Sequence, residues 1–339
     1  MNVKKIAFSI LELATVSKGS SIGEVFANTA VLAKEAEAAG FKRMWFAEHH
    51  NMPAIASSVP PILMAHVAQA TSTLRVGSGG VMLPNHSPFI VAEQFGTLAH
   101  LFPDRIDLGL GRAPGTDPET TRAIKPGFID ATHSFPEDVD KIQNYFSKEN
   151  KSAKVRVTLA EGMDVPIFIL GSSTSSAHLA AKKGLPYAFA SHFSTQHFYD
   201  AIRIYRNQFE PSASLGKPYV LAGINVFVAD TDREAERLYT SNLRLVINIL
   251  SGTSTPYIEE PTEEMTSDLK EIMQHPRIHQ MARYSFIGSK ETVKKKIQAF
   301  LEETQVDELI IVTTMYAIAD RIKSVQLFGE IMSEINGDR

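Results

Sequence analysis

The stretch RMWFAEHH, from Arg43 to His50, decides how this chain is read. Met44, Trp45 and Phe46 form a short, unalternated apolar run of the kind buried on both faces in a parallel sheet. The run ends directly in Glu48, His49 and His50. In parallel α/β proteins, ligands and chemistry collect where strands end at their carboxyl side. An acid and two imidazoles delivered there form a candidate site that a core does not need. Imidazole also titrates near neutrality, so it can gain or lose a proton in turnover. The competing reading is a pair of ordinary strand-end histidines bonded to their neighbours.

Outward from this strand the same rhythm repeats. Upstream, Ile6–Leu11 reads as the first strand, and a helical pattern over Gly23–Ala39 stops at Gly40. Downstream, a helix is expected over Pro53–Thr71, with Pro60 and Pro61 bending or restarting it. Leu74–Ser78 and Val81–Leu83 make the third strand region, interrupted by Gly79 and Gly80, and Pro88–Phe102 is helical. Ile106–Leu110 is the fourth strand, followed by a long irregular stretch from Arg112 to about Phe135. Strands then fall at Val165–Leu170, Tyr187–Ala190, Val220–Ala229 and Glu308–Thr313. Helices are expected over Ser173–Lys183, over Thr195–Phe209 and from Asp230 or Thr231 toward Leu250. Two more cover Glu291–Glu303, capped by Ser289, and Ile318–Ile335. Eight strands alternating with helices, without a low-complexity linker, predict one (β/α)8 TIM barrel over residues 1–339, with inserted loops at its C-terminal face. Within it, the Thr/Pro/Glu-rich segment 252–266 reads as a mobile loop.

Composition narrows the function classes. A hydrophobic share of 44% and a charged share of 21% suit a soluble globular protein, and a net charge of −4 offers no footprint for nucleic acid. No cysteine occurs, which removes disulfides, a thiolate nucleophile and cysteine-ligated zinc, and fits a cytoplasmic location. The opening MNVKKIAFSILELATV superficially suggests a leader, but Glu12 interrupts its apolar run and it reads better as a strand. No apolar run approaches the roughly 20 residues of a membrane span.

An open dinucleotide-binding sheet is rejected, because neither VGSGG (76–80) nor GLGR (109–112) continues into a glycine-led helix. Glycines inside a strand, as at Gly79 and Gly80, mark a bulge or the close approach of a ligand. Strand Ile167–Leu170 runs into Gly171 and then Ser172, Ser173, Thr174, Ser175 and Ser176 ahead of a helix. Free N–H groups, a positive dipole end and hydroxyls together make an anion cradle there, more than one N-cap requires. Arg112 and Arg122 could supply a counter-charge.

These segments resemble the bacterial luciferase-like, flavin-dependent monooxygenases, and most closely their single-chain bacterial branch. The resemblance rests on WFAEHH (45–50), VGSGGVMLPNHSP (76–88), DRIDLGLGRAPGTD (104–117), ILGSSTSSAHLAAKKGLP (169–186) and SFIGSKETVKKKI (285–297), in the family's order. It implies a TIM barrel that takes reduced FMN as a co-substrate, uses O2, and oxidises a small organic molecule. His49 matches the family's active-site histidine. Gly79 and Gly80 match a pair of small residues joined by a cis peptide beside the flavin ring. Ser172, Ser173 and Ser176 match the phosphate-binding turn, and Arg122 falls where the family has a phosphate-binding arginine. Ser9, with Phe8 and Leu11, would line the pocket. Gly111 stands where the bioluminescent members carry a reactive cysteine, which argues against bioluminescence. The resemblance further implies a separate flavin reductase.

The apolar helices around Ile55–Val67 and Phe89–Phe102 predict a homodimer, as the family also implies. His192, at the end of the sixth strand, either reaches the same mouth or is a polar strand-end residue. Alternatives are a flavin-binding protein without oxygenase activity, a user of the deazaflavin F420, or a metal-dependent hydrolase barrel built on His49, His50 and His192. No HExxH occurs, and Pro276 interrupts the His275/His279 spacing, so no metal site is expected.

Overall fold

The computed structural model describes residues 5–251 and 257–338. In chain order the first half comprises β1 (Ala7–Glu12), α1 (Ile22–Ala38), β2 (Arg43–Phe46), α2 (Pro60–Ala70), β3 (Arg75–Met82) and α3 (Pro88–Leu101). Next come β4 (Ile106–Gly111), α4 (Pro118–Ile124), α5 (Phe128–His133), α6 (Phe135–Phe146), β5 (Ile167–Gly171) and α7 (Thr174–Lys182). Then follow β6 (Tyr187–Phe189), α8 (Phe198–Gln208), β7 (Val220–Ala229), α9 (Asp232–Ser251), α10 (Ser267–Met273) and α11 (Pro276–Ala282). The described chain ends with β8 (Ser285–Ser289), α12 (Lys290–Thr304), β9 (Glu308–Val312) and α13 (Ile318–Asn336).

Strands β1 to β7 pair in succession, all parallel, and β9 pairs with both β7 and β1, which closes an eight-stranded barrel. The expected TIM barrel is therefore the fold. Strand β8 was not foreseen. β7 pairs with β6 and β9 together at Ala222, and with β8 and β9 together at Asn225. β8 thus takes over from β6 on one edge of β7, above the barrel proper. In β3 one extra residue separates the pairs Ser78–Leu108 and Val81–Leu110, so Gly79 and Gly80 form the bulge their sequence position suggested. A cis peptide bond joins them.

Other boundaries moved for identifiable reasons. Helix α2 begins at Pro60 rather than Pro53, because the residue before a proline avoids helical backbone and Pro60 itself suits a first turn. The irregular stretch after β4 holds α4, whose amides Glu119 and Thr120 are capped by Asp117, and α5. Of the expected mobile loop, residues 252–256 lie outside the described residues. The remainder is tied down: Ile258 is fully buried and bonds Val16 and Lys18, and Thr262 N–H donates to Thr240 Oγ1 at 2.9 Å.

The barrel floor carries charge. Arg43 Nη1 donates to Asp107 Oδ2 at 2.6 Å and its Nε to Glu308 Oε1 at 2.8 Å, all three being buried. Tyr219 Oη donates to Glu308 and Arg75 to Asp107, so each buried carboxylate is paired and bonded. Burial opposes ionisation of Arg43, but Glu308 and Asp107 outweigh it and raise its pKa. Above this floor Leu11, Trp45, Phe168, Leu221, Ile310 and Val312 pack as an apolar plug, with Trp45 and Phe168 edge to face at 4.8 Å.

Candidate active site

The segment after β2 is held by three bonds from two neighbouring loops. His49 N–H donates to Ser57 O at 3.0 Å, His50 N–H to Gly115 O at 3.1 Å, and Ser57 Oγ to Ala47 O at 2.6 Å. Gly115 has φ +70°, and a Cβ there would stand 2.5 Å from the Glu48 carbonyl oxygen, so only glycine lets the two loops meet.

Glu48 is the hub. Its buried carboxylate accepts from His50 Nε2 at 3.0 Å, His86 Nε2 at 2.9 Å, Asn85 Nδ2 at 3.2 Å and the Met82 amide at 3.0 Å. Burial alone would raise its pKa, but the bonds from His50, His86 and Met82 prevail and hold it at about 2. An ionised carboxylate only accepts, so both imidazoles present Nε2–H to it. His50 and His86 are thereby committed, and Glu48 orients the segment that carries His49.

His49 is left free. Its Nδ1 is shut off from solvent without a hydrogen-bond partner among the described residues. Burial pushes its pKa below the ordinary value, partly offset by the Gly115 backbone, so the ring is neutral near pH 7. His192, beyond β6, likewise has an unpartnered Nδ1, and burial followed by the proximity of His49 pushes its pKa down to about 3.

The anion cradle expected after β5 lies at the same end of the barrel. Ser173 is the N-cap of α7, yet its side chain makes no capping bond. Ser176 Oγ donates to Ser173 O at 2.8 Å, and Ser194 Oγ donates to Ser172 O at 3.0 Å, which ties the turn to the loop beyond β6. The amides at the start of α7 therefore lack a side-chain cap.

One expected ligand residue lies elsewhere, and a second stands on the surface. Ser9 is fully buried and donates its hydroxyl to Glu308 in the barrel floor, two residues below Leu11. It is a floor residue rather than a mouth residue, because β1 starts deeper than its sequence reveals. Arg122 is exposed on α4 and has no ion pair among the described residues. Gly80 packs backbone to backbone, since a Cβ there would stand 2.7 Å from Gly109 O. The residues that sequence reasoning missed are Asn85 and His86. Their signal was a polar pair just past β3, the position already noted for Glu48 and His49 after β2. Among the described residues no group of three or more His, Cys, Asp or Glu that could hold a metal ion is found.

Comparison with known proteins agrees with this geometry. The profile of the luciferase-like monooxygenases matches residues 6–329. A luciferase-like monooxygenase of Escherichia coli K12 is 41% identical over 337 residues, covering 99% of this chain and 100% of that protein. The N-acetyl-S-alkylcysteine monooxygenase of Bacillus subtilis is 30% identical, covering 96% of this chain and 98% of that one. Among solved structures, apo-MsnO8 superposes with a TM-score of 0.85 at 30% identity, over 96% of this chain and 98% of that one. Two more distant structures share the fold alone. They are the FMN-bound oxygenating constituent of 3,6-diketocamphane monooxygenase from Pseudomonas putida (TM-score 0.72, 16% identity, 96% and 97% covered) and an F420-dependent secondary alcohol dehydrogenase (TM-score 0.67, 14% identity, 96% and 98% covered). With a matching profile over nearly its whole length and close full-length relatives, this chain belongs to the luciferase-like monooxygenase family.

Proposed function

We propose that the protein is an FMN-dependent monooxygenase of the two-component kind, which takes reduced FMN from a separate flavin reductase and oxidises a small organic substrate with O2. The observation that carries this reading is His49: a neutral imidazole with a nitrogen free, aligned by the fully committed Glu48, above an apolar plug. Two further features fit a flat ligand bearing a phosphate. One is the uncapped start of α7 beside Ser172, Ser173 and Ser176. The other is the bulge at Gly79 and Gly80, which carries no side chain into the mouth.

Reduced FMN, when bound, supplies the electrons that activate dioxygen. The chain's own contribution is to hold the phosphate at α7, keep water off the apolar plug, and take up or return a proton at His49. Glu48 fixes where that proton is exchanged. The substrate is a small organic molecule, and the sulfur compound named for the Bacillus subtilis relative is a reasonable first compound to screen.

The protein acts, on this reading, as a cytoplasmic homodimer. Ile62 is 67% exposed on α2, and Val59 before it and Ile90 on α3 are 49% and 48% exposed, which suits a face that meets a second copy. No helix among the described residues is long and apolar enough to cross a membrane.

The test is anaerobic titration with reduced FMN, and separately with reduced F420, followed by mixing with isotopically labelled dioxygen and a substrate panel. Label appearing in product, lost by about 10²–10⁴-fold in His49→Ala while FMN still binds, is the expected outcome. Binding of F420 in preference to FMN would overturn the cofactor, and no binding of either would overturn the flavin reading.

A further inference from the structure

β2 and β6 stand opposite one another in the barrel, since four steps separate them in either direction around the eight-stranded ring. His49 lies three residues beyond the end of β2, and His192 three residues beyond the end of β6. Although they rise from opposite walls, the two rings sense each other's charge. Both stand at the carboxyl end of the barrel, on facing walls.

The position of His192 is built by its neighbours. Ser191 Oγ donates to Gly223 O at 2.6 Å, and Asn225 Nδ2 donates to His192 O at 2.7 Å, so the loop is tied to β7 on both sides of the ring. A Cβ on Gly223 would stand 2.5 Å from His192 Nδ1, so the ring occupies the niche that this glycine leaves. A histidine placed only for packing ordinarily has its ring nitrogens bonded. Here Nδ1 is shut off from solvent with no protein partner among the described residues, although the residue as a whole is only partly buried. Ser194, two residues on, holds the turn of the α7 cradle through Ser172 O. The loop that carries His192 therefore borders the cradle at α7.

We propose that His192 is a second ligand-contacting imidazole of the site, which hydrogen-bonds the polar edge of the flavin ring from the wall opposite His49. This rests on the flavin reading above. In that arrangement His49 serves proton exchange and His192 sets how the ring lies across the mouth.

The test uses the whole protein labelled with ¹⁵N-histidine, its ring signals assigned with His49→Gln and His192→Gln, before and after anaerobic saturation with reduced FMN. The ring-nitrogen resonances of His192 are expected to move. His192→Phe, which keeps the shape but not the nitrogens, is expected to weaken reduced-FMN binding roughly three- to tenfold. His192→Gln, which can still donate, should keep most of the affinity. If the wild-type protein binds reduced FMN while the His192 signals stay in place and His192→Phe binds equally well, the inference falls and the flavin reading stands. If the wild-type protein binds none, both histidines stay silent and the flavin reading falls, taking the inference with it. Should His192→Phe fail to fold, the wild-type resonances decide alone.

Discussion

At the scale of single residues, Glu48 shows how one buried carboxylate can organise a site without taking part in the chemistry. Four donors converge on it, and removing the charge would weaken its bonds to two imidazoles and two amides. Its folded pKa of about 2 lies below the ordinary carboxylate value, so its ionisation favours the folded state above about pH 4.5. That contribution is lost as the pH falls from there through about 2. Glu48→Gln is expected to cost on the order of 3 kcal/mol at neutral pH and to flatten the acid limb of stability between those values. Urea melts of both proteins across that range give the comparison, and parallel limbs would show that Glu48 does not act this way. The EHH cluster was legible in the sequence because a strand ending in three polar groups is conspicuous. The division of labour within it was not, because His86 lies 38 positions from Glu48 and reaches it only because β2 and β3 pair side by side.

Among the elements, those whose period and flanking glycines or prolines agree were legible: α1 stopping at Gly40, α3 starting at Pro88 and α7 closing before Gly184 fall within a residue or two of expectation. What escaped was set by tertiary pairing. β8 is five residues, SFIGS, and becomes a strand because β7 outruns the barrel and leaves an edge for it. α7 offers a test at this scale. Because the Ser173 hydroxyl makes no capping bond, Ser173→Ala should change folding stability by less than about 0.5 kcal/mol, unlike the loss typical of an N-cap. On the proposed function it should still weaken FMN while leaving riboflavin, which lacks the phosphate, unaffected. Thermal melts and paired titrations check both, and an equal effect on the two flavins would remove the serine from the phosphate site.

For the molecule as a whole, the barrel was legible because alternating strands and helices over one uninterrupted chain leave few other topologies. Depth within it was not, and Ser9 is the cost: alternation along β1 says which side a residue faces, not how far down the barrel it sits. The outer surface makes its own prediction. Ile62, Val59 and Ile90 should lie in a dimer interface, so the protein should sediment as a dimer at micromolar concentration and Ile62→Asp should shift it toward monomer by about tenfold or more. A monomeric wild-type protein would end that reading.

The ion-paired floor under the apolar plug has a consequence for traffic. Arg43, Asp107 and Glu308 seal the base of the barrel, and the layer of Trp45 and Phe168 stops the shaft above them. A ligand that enters at the carboxyl end therefore finds no exit through the base, and a single doorway imposes a queue. Whatever settles deepest must enter first and leave last, so the order of arrivals and departures is written into the walls before any reaction begins.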